Sequence, residues 1–338
     1  MSKLFESITI NDLSIKNRLV MPPMCMYSAK EGHVSDFHVT HYGARAIGGV
    51  GLIIVEATGV ASCGRITDDC LGIYEDSHTE GLARIASVIK TYGAAAAIQL
   101  GHAGRKCTAG VPEILAPSAI AYDGKYKVPR EMGQADIESV VQEFKSAAGR
   151  AAQAGFDMVE IHGAHGYLLS TFLSPLSNKR VDEYGGSHEN RARLVGKVVK
   201  AVKEVFPGPV CLRVSSEDFL PEGNRPADIA MMINSVKAHG IDIVDVSAAS
   251  VAPAKFPVYP GYQVKFAEEI RELTSLPVMT GGLLTSPFQM EEIVANGRAD
   301  MVYVGRELLR NPQFPLWAAK KLGVDQVWPK QYERARYA

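Results

Sequence analysis

His162 and His165 stand three residues apart at the end of an apolar run, and Tyr167 follows two residues later. Imidazole and phenol are groups that donate or exchange protons, so the trio suits paired donation to a developing oxyanion with a proton source alongside. The His-x-x-His spacing, with Glu160 two residues upstream, also admits a metal centre, and a metal-dependent barrel hydrolase using His162 and His165 is the alternative. Against that reading, glycines place His165 on a loop, and no His-x-His pair or further carboxylate cluster completes a hydrolase centre. No metal is expected.

Three further features point to a phosphorylated ring cofactor. Gly281-Gly282 and Gly305-Arg306 each follow a late apolar run, the position where barrels bind phosphate with backbone N–H groups and a helix N-terminus. Arg213 ends another apolar run, where a buried cation needs an anionic neighbour. It reads either as half of a structural ion pair or as the charge facing the electron-poor end of a flavin. Gln99 can both donate and accept, which suits the amide edge of such a ring. No G-x-G-x-x-G or G-x-x-x-x-G-K-[ST] motif occurs, so neither a Rossmann dinucleotide site nor a P-loop is supported.

The elements that must position these residues are short apolar runs alternating with amphipathic, helix-length stretches. Eight strands are predicted: Arg18 to Met21, Gly51 to Ala57, Ala94 to Leu100, Phe156 to His162, Val210 to Val214, Ile241 to Val246, Pro277 to Thr280, and Asp300 to Val304. Helices are predicted at His38 to Gly48, His78 to Tyr92, Asp136 to Ala154, Glu189 to Val205, Ala227 to Ala238, Tyr262 to Leu273 and Pro287 to Asn296. Runs such as Leu52-Ile53-Ile54-Val55 have no polar face, as strands do when helices cover both sides. An α/β TIM (β/α)₈ barrel follows, with an open doubly wound sheet as the structural alternative. Ile8 to Ile15 reads as an N-terminal β-hairpin that plugs the barrel bottom. The long loop after strand 3, Gly101 to Gly133, reads as a lid or binding loop on the catalytic face. No linker divides the chain, so one domain spanning 1–338 is expected.

Composition narrows the partner. Thirty-six basic residues nearly balance thirty-seven acidic ones, so no summed field favours nucleic acid or an anionic membrane, and a small molecule is expected. Met1 to Glu6 lacks the features of a signal peptide and no apolar run approaches about 18 residues, which points to a cytoplasmic protein. The five cysteines, Cys25, Cys63, Cys70, Cys107 and Cys211, contain no Cys-x-x-Cys pair and imply no disulfide framework. Each reads first as a small buried hydrophobe.

Taken together, the motifs resemble those of the old yellow enzyme family of FMN ene-reductases, in the subgroup called thermophilic-like. The resemblance covers nearly the whole chain. It rests on Lys16-Asn17-Arg18, Pro22-Pro23-Met24-Cys25-Met26-Tyr27, His102-Ala103-Gly104-Arg105-Lys106, Ala116-Pro117-Ser118 and His162-Gly163-Ala164-His165-Gly166-Tyr167-Leu168. It continues through Phe172-Leu173-Ser174-Pro175, the stretch from Asn178 to Ser187, Gly305-Arg306 and Gln331-Tyr332-Glu333-Arg334.

The resemblance implies bound FMN and a reduced nicotinamide, NADPH or NADH, as co-substrate. It places Pro22, Pro23, Met24, Cys25, Ala57, Gln99 and Arg213 along the ring and ribityl chain, and Gly282, Gly305 and Arg306 at the phosphate. Cys25 would tune the flavin, which sets it apart from the other four cysteines. His162 and His165, with Tyr27, would bind the carbonyl or nitro oxygen of an activated alkene, and Tyr167 would protonate the adjacent carbon. It further implies a homodimer or homotetramer in which Arg334 reaches the neighbouring active site. Pro22 stands where a serine is frequent and Gly163 where an alanine is frequent; neither change removes a functional side chain. No cysteine follows Cys211, which disfavours the branch carrying an iron-sulfur cluster after the barrel.

Overall fold

The computed structural model describes residues 2–336. Eight parallel strands pair in chain order: β1 (Leu19–Met21), β2 (Leu52–Gly59), β3 (Ala95–Gly101), β4 (Met158–Gly163), β5 (Val210–Ser215), β6 (Ile243–Ser247), β7 (Val278–Thr280) and β8 (Met301–Tyr303). Strand β8 returns to β1, with Val302 opposite Leu19 and Tyr303 opposite Val20, so the sheet closes into a barrel and is not an open doubly wound sheet. The observed strands depart from the predicted ones by at most two residues at either end.

Strand β2 shows why its sequence lacks a polar face. Leu52 and Ile54 join the inner cluster with Val20, Ala97 and Met158, whereas Ile53 and Val55 join the outer cluster under the helices. Fully burying one such side chain contributes about 1.5–3 kcal/mol. A polar residue at any of the four would therefore face dry packing on whichever side it pointed.

The surrounding helices are α1 (Asp36–Ile47), α2 (Thr79–Thr91), α3 (Gln134–Gln153), α4 (His188–Lys203), α5 (Pro226–Val236), α6 (Val264–Thr274), α7 (Pro287–Ala295) and α8 (Phe314–Lys321). Proline opens α5 and α7, where its missing N–H costs nothing. Ser275 ends α6 with φ of 57°, a left-handed position more often given to glycine. Helix α8 and two short helices, Leu168–Leu173 and Arg306–Arg310, lie outside the predicted set. The two short ones span fewer than two turns, too little for a periodic signal to build up.

The N-terminal hairpin pairs Ile8–Ile10 with Leu13–Ile15 and turns at Asn11, whose φ is 48°. Ile10 and Ile15 are buried in the inner cluster, so the hairpin seals the end opposite the loops that follow the strands. The connection after β3 is not wholly irregular. Leu115–Ala116 pairs with Arg130–Glu131, and Ala103, Cys107, Ala109 and Ile114 form a small cluster against which Tyr167 packs. None of the five cysteines is paired, and Cys63 is only half-buried, with its sulfur 3.8 Å from Nε2 of His102. Among the described residues, no helix is long and apolar enough to cross a membrane.

Candidate active site

His162 is the last residue but one of β4, and the chain then turns through two left-handed residues, His165 (φ 62°) and Gly166 (φ 74°). Glycine is required at 166, because a Cβ there would lie 2.4 Å from the carbonyl oxygen of Ser250. The turn brings three rings together: His162 and His165 have centroids 5.3 Å apart at 81°, and His162 and Tyr167 lie 5.0 Å apart at 62°. The Ala164 N–H donates to Nδ1 of His162 at 3.4 Å, which leaves Nε2 to meet a ligand. Nε2 of His165 is engaged by the Ser247 hydroxyl at 2.7 Å, so Nδ1 is its free nitrogen.

Burial holds both imidazoles well below their ordinary pKa, and the charges of Arg213 and Lys106 add to the effect. Both rings are therefore neutral hydrogen-bonding groups at neutral pH. Burial, with Cys25 and Tyr27 nearby, raises the Tyr167 phenol, which keeps its proton. Tyr27 is half-exposed at φ 49°, and burial with Cys25 pushes its phenol up to about 12. Cys25 is likewise pushed up to about 12, chiefly by burial and then by Glu56.

Beneath this trio lies a charged layer inside the barrel. Nε of Arg213 is 3.2 Å from Oδ2 of Asp245, and its guanidinium lies 5.6 Å from the centre of the Tyr303 ring. Burial opposes the Arg213 charge, but Asp245 and Glu160 outweigh it and hold the group ionised. The Gln99 amide donates to Glu160 at 2.7 Å, which leaves its carbonyl oxygen to accept. Both readings of Arg213 thus meet: it is half of an ion pair, and it also lines a cleft.

That cleft, of about 360 Å³, is lined by Pro22, Met24, Arg213, Ser247, Gln263, Gly282, Tyr303, Gly305 and Arg306, among others. Pro23 and Cys25, the alternate residues of the loop after β1, do not line it. Gly282 has φ of 94°, and a Cβ there would stand 2.9 Å from the Tyr262 ring. Gly305 caps the Arg306–Arg310 helix. The cleft therefore has bare backbone and a guanidinium at one end and a buried cation at the other. Such a donor set fits a planar ring carrying a phosphate tail. Ala57 borders a separate small hollow with Gly101, His102, His162 and Tyr167.

Several residues of this assembly were not singled out from sequence. Asp245 and Ser247 alternate along the apolar strand β6; Gln263 and Tyr303 reach them from α6 and β8. Lys106 donates to the carbonyls of His165 (2.9 Å) and Ser250 (3.2 Å) and lies 5.5 Å from the centre of the Tyr167 ring. Glu56 accepts the Met26 N–H at 2.9 Å and the Tyr42 hydroxyl at 3.3 Å, fixing the loop that carries Cys25 and Tyr27. An aspartate or serine at every second position of an otherwise apolar strand was the available signal.

Arg334 is not drawn into its own site. It is exposed on the turn Lys330–Ala335, whose Gln331 lies with Phe5, Lys16 and Tyr92 at the hairpin end of the barrel. Among the described residues, no three His, Cys, Asp or Glu side chains are grouped to hold a metal ion, and Glu160 turns to Gln99 rather than to the histidines.

The closed barrel, with a phosphate-tailed ring cleft at the strand ends and neutral proton donors over it, defines the class of flavin-binding barrel oxidoreductases. The chain belongs to the NADH:flavin oxidoreductase / NADH oxidase family, which it matches over residues 3–324, and FMN is the family's cofactor. It is 54% identical over 334 residues to an NADPH dehydrogenase of Geobacillus thermodenitrificans, with 98% of each chain covered. It is 52% identical to an NADPH dehydrogenase of Bacillus licheniformis, again with 98% of each covered. Among solved structures, morphinone reductase superposes with a TM-score of 0.83 at 28% identity, covering 100% of this chain and 93% of that one. A 2-naphthoyl-CoA reductase superposes with a TM-score of 0.89 at 27% identity over 95% of this chain, which spans 52% of that longer protein.

Proposed function

We propose that this chain, 1–338, acts as one FMN-binding domain and is an NADPH-dependent ene-reductase. Its substrates are activated C=C bonds of α,β-unsaturated carbonyl and nitro compounds. FMN, when bound, would supply two-electron redox chemistry between a reduced nicotinamide and the alkene, which would use the same site in turn. Ping-pong kinetics follow from one site serving both steps. Relatives that are NADPH dehydrogenases favour NADPH over NADH, and a morphinone reductase structure with tetrahydroNAD shows a relative taking a nicotinamide.

Gly282, Gly305 and Arg306 would hold the phosphate, with Pro22, Pro23, Met24, Cys25 and Ala57 along the ring and ribityl chain. Gln99 and Arg213 would meet the polar edge of the ring. His162, His165 and Tyr27 hold the substrate oxygen as electrons arrive at the β carbon, and Tyr167 delivers the proton to the neighbouring carbon. One well-placed donor to a developing oxyanion is worth about 3 to 4 kcal/mol. The assembly is a homodimer or homotetramer in which Arg334 of one protomer serves the site of the next.

The observation that carries the reading is the packing of His162 against both His165 and Tyr167, three neutral groups brought together at the end of β4. Replacing both histidines by alanine should leave flavin bound and reducible by NADPH while cutting alkene reduction by roughly 10³-fold or more. A double variant that reduces cyclohexenone at the wild-type rate would overturn the assignment.

A further inference from the structure

The register of β3 to β6 brings five polar or ionisable side chains together in the dry interior of the barrel. Gln99 pairs in register with Glu160, Glu160 with Cys211, and Arg213 with Asp245. Glu160 and Asp245 have no solvent exposure, and their carboxyl groups lie within hydrogen-bonding reach of each other. One guanidinium, Arg213, faces both. Two carboxylates and one cation in a dry core leave a net negative charge, and like charges so placed cannot both ionise cheaply. A proton shared by the pair resolves this: one carboxyl donates to the other, and the remaining carboxylate balances Arg213. The oxygens of Asp245 lack hydrogen-bond donors in the absence of that proton.

We infer that Glu160 and Asp245 form a redox-linked proton site, taking up a proton from solvent when the flavin is reduced. This rests on FMN as the bound cofactor and on Arg213 at its edge. Reduction brings two electrons and one proton to the cofactor, so one negative charge is added beside Arg213. The guanidinium is then shared between that charge and the carboxylate. Above about pH 8, where the oxidised pair has lost its shared proton, the pair answers by taking one proton back, forming a single O–H bond and offsetting the added charge. No other bond is made or broken.

Every titratable neighbour can be placed. Burial and Asp245 push the Glu160 carboxyl up to about 8, against the pull of Arg213. Cys211 donates its thiol to Glu160 at 3.4 Å and, like the buried Tyr303 phenol, is raised far enough to stay protonated. His162 and His165 stay neutral. Lys106, lowered to about 8 by burial and Arg105, and Glu56, raised to about 7 by burial, titrate in a neighbouring range.

The test is the midpoint potential of the holoenzyme, titrated electrochemically against pH, once flavin absorbance and a two-electron stoichiometry establish that FMN is bound. One proton per two electrons gives a slope of about 30 mV per pH unit, and a second linked proton doubles it. Wild type should follow the shallow slope up to about pH 8 and steepen above it, where the oxidised pair has lost its shared proton. Glu160→Gln should keep the shallow slope throughout. A straight wild-type line, or steepening that survives in Glu160→Gln and so belongs to another group such as Lys106 or Glu56, would overturn the inference. Should that variant lose flavin, infrared difference spectra of wild type decide instead. Reduction on the alkaline side should create a protonated-carboxyl band, and its absence would contradict the proposal. Absence of flavin from the purified wild-type protein would instead refute the cofactor reading on which this rests.

Discussion

Nε2 of His165 meets the hydroxyl of Ser247 at 2.7 Å, although the two residues are 82 positions apart and belong to different strand ends. The contact is the near end of a relay. Gln263 donates its amide to Ser247 at 3.1 Å, and Tyr303 donates its hydroxyl to the Gln263 carbonyl at 2.6 Å. The relay joins the β4 loop, β6, the start of α6 and β8, so the barrel wall itself fixes the angle at which His165 presents Nδ1.

Ser247→Ala breaks that relay next to the imidazole. Losing one buried hydrogen bond costs about 1 kcal/mol, so alkene reduction should slow roughly five- to tenfold with a rise in KM, while the flavin stays bound. Steady-state kinetics with NADPH and cyclohexenone, alongside flavin content, check this. Unchanged constants would mean that the ring is held by packing alone.

Glu56 couples the loop of Cys25 and Tyr27 to pH. Burial pushes its carboxyl up to about 7, partly offset by its bonds to Met26 and Tyr42, against about 4.3 in an unfolded chain. The protonated form is favoured in the fold. Its stabilisation is present at acid pH and is lost as pH rises through about 7. Glu56→Gln removes this dependence, so its stability relative to wild type should improve by about 3 kcal/mol between roughly pH 4.3 and 7.5. Urea unfolding across that range measures it, and parallel curves for the two proteins would refute the assignment.

Arg334 makes no hydrogen bond or ion pair among the described residues, yet a guanidinium near a chain end suits an interface partner. Arg334→Ala should raise KM for the alkene roughly tenfold, with flavin content and reduction by NADPH unchanged. An unaltered KM in a protein that sediments as a dimer or larger would remove Arg334 from the site; a monomeric wild type would do the same.

The barrel was legible because each strand declares itself. Leu52 to Val55 have no polar face, and the turn residues Gly240 and Gly297 fall where helices give way to strands. His162, His165 and Tyr167 were legible because they are neighbours in the chain. Asp245, Gln263 and Tyr303 were not, since only closure and the β5–β6 register bring them beside Arg213 and Ser247. Glu160 stands two residues before His162, a neighbourhood in sequence that admits a metal and hides its role. Its partners in space are Gln99 and Cys211, on the adjacent strands. Lys106, in His102-Ala103-Gly104-Arg105-Lys106, has no role legible in sequence, because what it binds are backbone carbonyls, which leave no mark on side-chain pattern.

The central claim is that Tyr167 gives the proton in the second step and takes no part in the first. Stopped-flow absorbance of the flavin band follows each step separately in Tyr167→Phe: bleaching by NADPH without oxygen, then recovery of colour on adding an enone. Bleaching should proceed at the wild-type rate, and recovery should slow by roughly 10²-fold or more, as for loss of a positioned general acid. Equal slowing of both steps, or wild-type recovery, would contradict the account.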